Sequence, residues 1–564
     1  MSQTVAEILV AALEQIGVKH IFGLIGDSLN PLGDAIRRSS IEWVGVRHEE
    51  GAALAAAGQA KLTGHLGVCC GTTGPGSNHL VAGLYEAARD HAPVLAISGE
   101  MLRKFQGTNY IQTTKPELLF SDVTLFNETI ISEEQAPKVI HQAILAAYAG
   151  RGVAHLTIPE DIMAAKASGP ITSIETLKPR GEIAPTELEI KAIAQHINQA
   201  EKIVIMCGAG CHGLAAPLRS LSDLLKAPLI HTVKGKDIMP FDEPRWMGGL
   251  GMIGTKPVYQ AVADCDLLLM LGTDYPYSEY LPTKAKTIQI DERAQVLGRR
   301  TPTVLGVISS VGPALTLLQK HITQKTHSNF FDKLTQKRRK WDDMLNKQAD
   351  LARSKDRIHP QAIARTTSDL AKSDAIFVLD TGLNTLWSGN WIRQKGTQRI
   401  MGSFNNAAVG TALGQANGIQ ALDRTKQVIA LCGDGGFNML MCEFMTAVHH
   451  KLPVKVIIYN NSAFGLISLE AESIGLPPFR QAIEFPNPDF VMLARACGGH
   501  GFAAKKPEEL VAAIREGLAV AGPAIIDVTT VADEVPNVPR LTAEIVEKVA
   551  MAKIKEAINS VMGS

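Results

Sequence analysis

The sequence predicts an α/β protein of three doubly wound parallel-sheet domains, and three observations carry that prediction. The first is a repeated grammar: a helix-like stretch, a proline after Ala or Leu, then a β-branched strand. It occurs in EAARDHAPVLAIS (Pro93), LSDLLKAPLIHT (Pro228) and AVHHKLPVKVIIY (Pro453). Proline lacks the N–H that continues a helix but is tolerated at a strand start. Strands alternating with helices imply parallel sheets. The second is length, because 564 residues exceed what one core supports. The third is punctuation. AAKASGPITSIETLKPRGEIAP, around 164–185, is polar and broken by Gly and Pro. FFDKLTQKRRKWDDMLNKQADLARSKDR, within 320–358, is strongly charged with apolar residues at helical spacing. It reads as a solvated helix joining two domains. The domains are placed at 1–165, 185–320 and 358–530, with a C-terminal helix at 541–564.

In chain order, MSQTVAEILVAALEQIGVKHIFG comes first. It is apolar at helical spacing but carries Glu7 and Glu14, so it reads as an amphipathic helix and not a signal peptide. No apolar run approaches the roughly 18 residues of a spanning helix. Hydrophobic content of 46% with 20% charged residues describes a soluble globular protein. The 56 basic residues balance 56 acidic ones, which gives no electrostatic case for nucleic acid. The cysteines form no Cys-x-x-Cys pair, and Cys207 with Cys211 lack a second pair for a zinc site. Reduced, cytosolic thiols are expected.

The chemistry is concentrated in the third domain. CGDGGFNML (432–440) lies between an apolar run and a segment that reads as one long helix. Gly-Asp-Gly alone is equally a plain turn. After the helix, the next strand, VKVIIYNN, ends in Asn460 and Asn461. Neighbouring parallel strands bring their carboxyl ends to one sheet edge, where ligands bind in doubly wound folds. Asp434 and Asn461 would then face one site as hard oxygen ligands suited to Mg²⁺. Gly433, Gly435 and Gly436 would let the backbone approach a phosphate at the next helix N-terminus.

This pairing resembles the diphosphate and magnesium motif of thiamine-diphosphate enzymes. The resemblance implies three metal ligands: the side chains of Asp434 and Asn461 and the backbone carbonyl of Ala463. It implies a glutamate on the aminopyrimidine ring of the cofactor, matched by Glu49 in VGVRHEEGAALAAAGQAKLTG. The alternative for an acid there is an ordinary helix N-terminal residue stabilised by the dipole, which suits Glu50 better. GTTGPGSNH, with Thr72 and Asn78, matches the loop lining the pyrimidine pocket. In GDSLN, a substrate-side loop, Asp27 reads as a cap. In the third domain Gly382 (LDTGLN), Ala407 and Val409 (MGSFNNAAVG) match cofactor-holding positions. Val409 stands where the family places an apolar wedge, usually a larger side chain.

Over nearly the whole chain the resemblance is closest to bacterial pyruvate oxidases of the quinone-linked kind. It implies a pyrimidine-binding, a central and a diphosphate-binding domain. It also implies a homotetramer with active sites between subunits and FAD on the central domain. Gln112 (TNYIQTTKPE) and Glu470 (FGLISLEAE) match substrate-side residues. Ile111 and Leu466 replace aromatic residues found in oxidases, a departure that bears on substrate size and electron transfer. For FAD, the matching features are Gly208 and Gly210 in CGAGCHG and Asp291 in IQIDE. A second family acid near VLGVISS is absent.

The implied reaction is oxidative decarboxylation of pyruvate, a 2-keto acid, to acetate and CO₂, with electrons passing to a quinone. The alternatives are non-redox carboligation or decarboxylation, as in acetolactate synthase, and a non-catalytic binding protein. The expected localisation is cytoplasmic, with the inner membrane face as the peripheral variant. In the tail, Val546, Val549, Ala550, Ile554, Ala557, Ile558 and Val561 share a broad helical face, so the helix is expected to bury that side on its own subunit. With few aromatics, it implies weak or no membrane association.

Overall fold

The computed structural model describes residues 3–167, 181–537, 539–540 and 543–562. Most of the linker read around 164–185 therefore lies outside the described residues. Three six-stranded, wholly parallel sheets are flanked by helices. Their central strands are unbroken apolar runs, such as LLLML at 267–271, because helices cover both faces.

The first sheet contains β1 (His20–Gly23), β2 (Glu42–Gly45), β3 (Gly67–Gly71), β4 (Val94–Glu100), β5 (Phe126–Thr129) and β6 (Val153–Pro159), in the order β2-β1-β3-β4-β6-β5. The second contains β7 (Ile203–Cys207), β8 (Leu229–His231), β9 (Trp246–Gly249), β10 (Leu267–Leu271), β11 (Lys286–Asp291) and β12 (Leu305–Ile308). Its order, β9-β8-β7-β10-β11-β12, reverses direction between β7 and β10. That is the strand order of dinucleotide-binding sheets. The third contains β13 (Ile376–Leu379), β14 (Arg399–Gly402), β15 (Val428–Gly433), β16 (Lys455–Asn460), β17 (His500–Ala504) and β18 (Ala524–Thr529). Its order, β14-β13-β15-β16-β18-β17, repeats that of the first sheet. Pro93, Pro228 and Pro453 each stand between a helix and the start of β4, β8 or β16.

The first and third domains share one core. The Ala-rich helix Glu49–Thr63 packs on Ala412–Leu422 along thin side chains. A Cβ on Gly418 would strike the backbone of Ala55, so glycine is required for that approach. A buried ionic junction joins all three domains. Lys61 Nζ reaches Glu86 (2.6 Å), Asp90 (2.5 Å) and the Gly402 carbonyl (2.6 Å), and Lys234 reaches Asp90 at 2.9 Å. Burial works to raise the Asp90 carboxyl, but Lys61 and Lys234 outweigh it and bring it down to about 2.

Two expectations need correction. The charged helix, Asn329–Gln348, is not merely solvated: it buries Leu334, Arg338 and Leu345. Leu334 joins the core of the second domain and Leu345 that of the third. The tail forms a helix, Ala543–Met562, but its apolar stripe is not the buried side: Val546 is 51% and Ile554 61% exposed. Ala552 is buried instead, and polar contacts dock the helix on Gly465–Ser473 and the loop after it. These are Lys553 to Glu472 (2.8 Å), Arg480 to Glu556 (2.5 Å) and Lys555 to the Gly475 carbonyl (3.0 Å). The side chains of Ala557, Ile558 and Val561 lie outside those described. Partly exposed ion pairs stabilise little, so deleting 541–564 should cost about 1 kcal/mol or less in a urea denaturation measurement. A much larger loss would mean that burial of Ala552 anchors the neighbouring helix.

Candidate active site

The third sheet builds the main cleft. β15 and β16 pair in parallel with Gly433 opposite Tyr459, so both carboxyl ends share one edge. Asp434 opens the short helix Asp434–Met439 and is 1% exposed. The long helix expected after it is broken at Leu440–Cys442, and a second begins at Glu443. There the buried Glu443 carboxylate accepts the N–H groups of Arg47 (3.0 Å) and His48 (2.9 Å) from the first domain. That interdomain contact redirects the chain.

Asp434 is held from three sides. Its Oδ1 accepts the Gly435 N–H at 2.9 Å. Its Oδ2 accepts the Ser462 N–H at 2.5 Å and the Asn487 amide at 2.8 Å. Burial pushes its carboxyl up, and those donors pull it partly back. Asn461 Oδ1 accepts the Ala463 N–H at 3.2 Å across a turn in which Ser462 takes a left-handed φ of 55°. The side chains of Asp434 and Asn461 and the backbone at Ala463 thus meet at one place. Among the described residues no group of three His, Cys, Asp or Glu gathers as a metal site. A cation here would be a hard one, completed by oxygens from outside the protein.

The cleft encloses about 300 Å³. Gly433, Asp434, Gly435, Gly436, Asn461 and Ala463 are in its lining. So are Gly382, Ala407, Val409, Leu466 and Glu470. Gly382 has a φ of 142° and precedes the helix Leu383–Trp391, whose N-terminal N–H groups face this edge. Ala407 is held at φ 55°, its N–H donating to the Ser403 carbonyl at 3.1 Å. The donor-rich, glycine-lined walls and hard oxygen set fit a diphosphate with a divalent cation.

Two supporting residues escaped the sequence reading. Asn487, in FPNPD, carries no periodic signal. Asp380 stands just before TGLN, at a strand end like Asp434, and that parallel was the available clue. Its Oδ1 accepts the N–H groups of Gly410 (2.9 Å) and Thr411 (3.1 Å), fixing the turn that carries Ala407 and Val409. Its other oxygen has no partner, and burial pushes its carboxyl up to about 7. A Cβ on Gly436 would collide with that oxygen.

The first sheet gathers the second group. Glu49 begins its helix, is 4% exposed, and its Oε2 lies 2.9 Å from His79 Nδ1. His79 stacks on His48 with centroids 4.5 Å apart. His79 is the last residue of GTTGPGSNH, and nothing in that segment marks it as the partner of Glu49. Thr72 Oγ1 lies 2.9 Å from Ser28 Oγ, and Asn78 is exposed. Gln112 is exposed at φ 62°, and its carbonyl lies against Gly74 of the same loop. Asp27 Oδ1 accepts the N–H of the next residue, Ser28, at 2.8 Å, but Asp27 is the first residue of a short 3₁₀ turn whose cap position is Gly26, so the expected cap is not formed. Glu49, Thr72, Asn78 and Gln112 thus share one sheet edge. No first-domain residue lines the 300 Å³ cleft, whose lining runs from Thr381 to Glu534.

The central sheet holds the third group. Gly208 and Gly210 follow β7 and pack on Gly272 after β10, at the point where the strand order reverses. Asp291, at the end of β11, is buried and accepts the N–H and Nε of Arg293 at 3.0 and 3.2 Å. Among the described residues no helix is long and apolar enough to cross a membrane.

Comparison with known proteins agrees with this layout. Family models of thiamine pyrophosphate enzymes match three segments: the N-terminal binding domain at 3–118, the central domain at 190–318 and the C-terminal binding domain at 380–528. A thiamine pyrophosphate-containing protein, YdaP of Bacillus subtilis (strain 168), is 36% identical over 93% of this chain and 91% of its own. Pyruvate oxidase of Lactiplantibacillus plantarum is 30% identical over 93% of this chain and 88% of its own. The large subunit of acetolactate synthase isozyme 2 of Escherichia coli (strain K12) is 28% identical over 94% and 96%. With three domain models in register with three parallel sheets, the chain belongs to the thiamine pyrophosphate enzyme family.

Proposed function

We propose that this enzyme oxidatively decarboxylates pyruvate to acetate and CO₂ with thiamine diphosphate, Mg²⁺ and FAD, passing electrons to a quinone. The observation that carries this reading is Glu470 in the wall of the diphosphate cleft. Glu534 also lines the cleft, but its carboxylate is committed to Arg353, His359 and Gln361. Glu470 is the acid left to face a substrate, where oxidases of the family also carry one. The strand order of the central sheet, with Gly208 and Gly210 at its reversal, supports a dinucleotide there.

Bound thiamine diphosphate supplies the carbon nucleophile and electron sink that make loss of CO₂ feasible. The protein orients and exchanges protons. Asp434, Asn461 and the Ala463 carbonyl would hold the metal, and the Gly433–Gly436 turn would receive the diphosphate. Ala407 and Val409 would hold the aminopyrimidine, with Val409 as the apolar wedge. Glu49 would hold a proton toward the ring nitrogen, and its burial against His79 leaves little competing water. Gln112 and Glu470 orient the keto acid. Because the cleft draws only on the third domain, Glu49, Thr72 and Asn78 are supplied by a second copy of the chain, within a homotetramer. We place the enzyme in the cytoplasm, with at most weak, reversible contact at the membrane.

A second reading, non-redox carboligation as in acetolactate synthase, is favoured by one feature. Ile111 and Leu466 are aliphatic where oxidases carry aromatics, which leaves room for a larger acceptor. A visible spectrum before and after anaerobic pyruvate decides between them. The expected result is an oxidised flavin spectrum that bleaches as acetate forms. Absence of flavin, or a flavin that stays oxidised while acetolactate accumulates, overturns the first reading.

A further inference from the structure

Between the central and third domains lies a small cavity of about 20 Å³ with an opening to solvent. Lys236 and Trp246 line it from the central domain, Arg338 and Asp342 from the bridging helix, and Gln394 from the third domain. Lys236 is 5% exposed, and among the described residues no hydrogen bond or ion pair ends on its ammonium. A buried ammonium without a counter-charge is strongly disfavoured.

The surroundings supply that counter-charge only in part: Asp237 and Asp342 favour the ammonium, but each is already paired. Asp342, the cavity's carboxylate, is committed to Arg338 Nε at 2.7 and 2.8 Å. Arg338 Nη1 donates to the Trp246 carbonyl at 2.6 Å. The guanidinium of Arg393 lies 4.5 Å from the Phe241 ring and that of Arg338 4.7 Å from it, so a third cation stands close by. Asp237, next in sequence to Lys236, is committed to His212 (2.7 Å) and Arg399 (2.7 Å). Burial, with Arg338 close behind, pulls the Lys236 ammonium down to about 7. The indole N–H of Trp246 is a second donor with no acceptor. Two acceptors remain: Gln394 Oε1, whose amide N–H groups are held by the Lys236 and Met239 carbonyls, and Nε2 of the neutral His231, whose Nδ1–H donates to the Thr232 carbonyl at 2.9 Å.

We propose that this cavity binds a single monovalent anion of chloride size, held by Lys236 and Trp246, that locks the central domain to the third. The volume is that of one atom-sized guest. A water molecule would fill the space but offer the protonated form of Lys236 no counter-charge, whereas an anion would draw that form up from a lysine that is otherwise only partly charged near neutrality. The anion supplies the missing charge, and ligand binding to the folded state alone stabilises it by mass action.

The test uses the full-length purified enzyme. Its melting temperature is measured as sodium chloride replaces sodium gluconate at constant ionic strength. The expected result is a rise of several degrees that saturates. Lys236→Met, which keeps the stem and removes the charge, should abolish that dependence. Crystals grown in bromide should show an anomalous peak within hydrogen-bond reach of Lys236 Nζ in the native protein. That measurement stands even if the variant fails to fold. A water at the position without a bromide peak, or equal chloride dependence in native and variant proteins, overturns the proposal.

Discussion

Replacing Glu49 with Gln is expected to leave the protein folded and able to bind thiamine diphosphate, but to slow turnover by on the order of 10²–10⁴-fold, the usual scale for a lost proton-transfer group. The structure gives two reasons for separating these effects. Glu49 is 4% exposed, yet its polar contact is a single one, to His79 at 2.9 Å, which an amide can keep. What the amide cannot do is share a proton with a ring nitrogen. The direct measurement is hydrogen–deuterium exchange at C2 of the bound cofactor, followed by quenched NMR. Exchange as fast as in the native enzyme would sink the assignment of Glu49, whatever happened to overall activity.

Asp434→Ala should abolish Mg²⁺-dependent retention of the cofactor. Here the structure adds a stability cost. The carboxylate satisfies the Gly435 and Ser462 N–H groups and the Asn487 amide; truncation leaves the buried Gly435 N–H without an acceptor, whereas Ser462 is exposed and the Asn487 amide keeps Asn460 Oδ1 at 3.0 Å. An unsatisfied buried donor costs about 1–3 kcal/mol, so the variant should also melt earlier. Asp434→Asn separates the two consequences. It keeps an oxygen for part of the network but loses the charge, so it should fold nearly normally and still release Mg²⁺. Metal and thiamine content after gel filtration provide the readout. A variant that retains both in stoichiometric amounts would show that the metal site lies elsewhere.

The amino-acid sequence determined the features that depend on local order. Proline between helix and strand marked β4, β8 and β16, because a missing N–H acts on its own turn. The pairing of Asp434 with Asn461 was legible because consecutive parallel strands must bring their carboxyl ends to one edge. Glu49 was legible as the first acid of a helix following a strand.

Contacts between residues distant in sequence were decided by tertiary structure alone. Asn487 reaches Asp434 across 53 residues, and nothing in FPNPD announces it. Asp380 holds the turn carrying Val409 from a neighbouring strand end. Glu443 accepts N–H groups from Arg47 and His48 nearly 400 residues away and so breaks a helix that periodicity alone would continue. The tail shows the same limit: its apolar spacing was correct, but docking through Lys553, Lys555 and Glu556 turned Val546 and Ile554 outward. Periodicity records which residues share a face, whereas the face that is buried depends on which partner surface the rest of the chain presents.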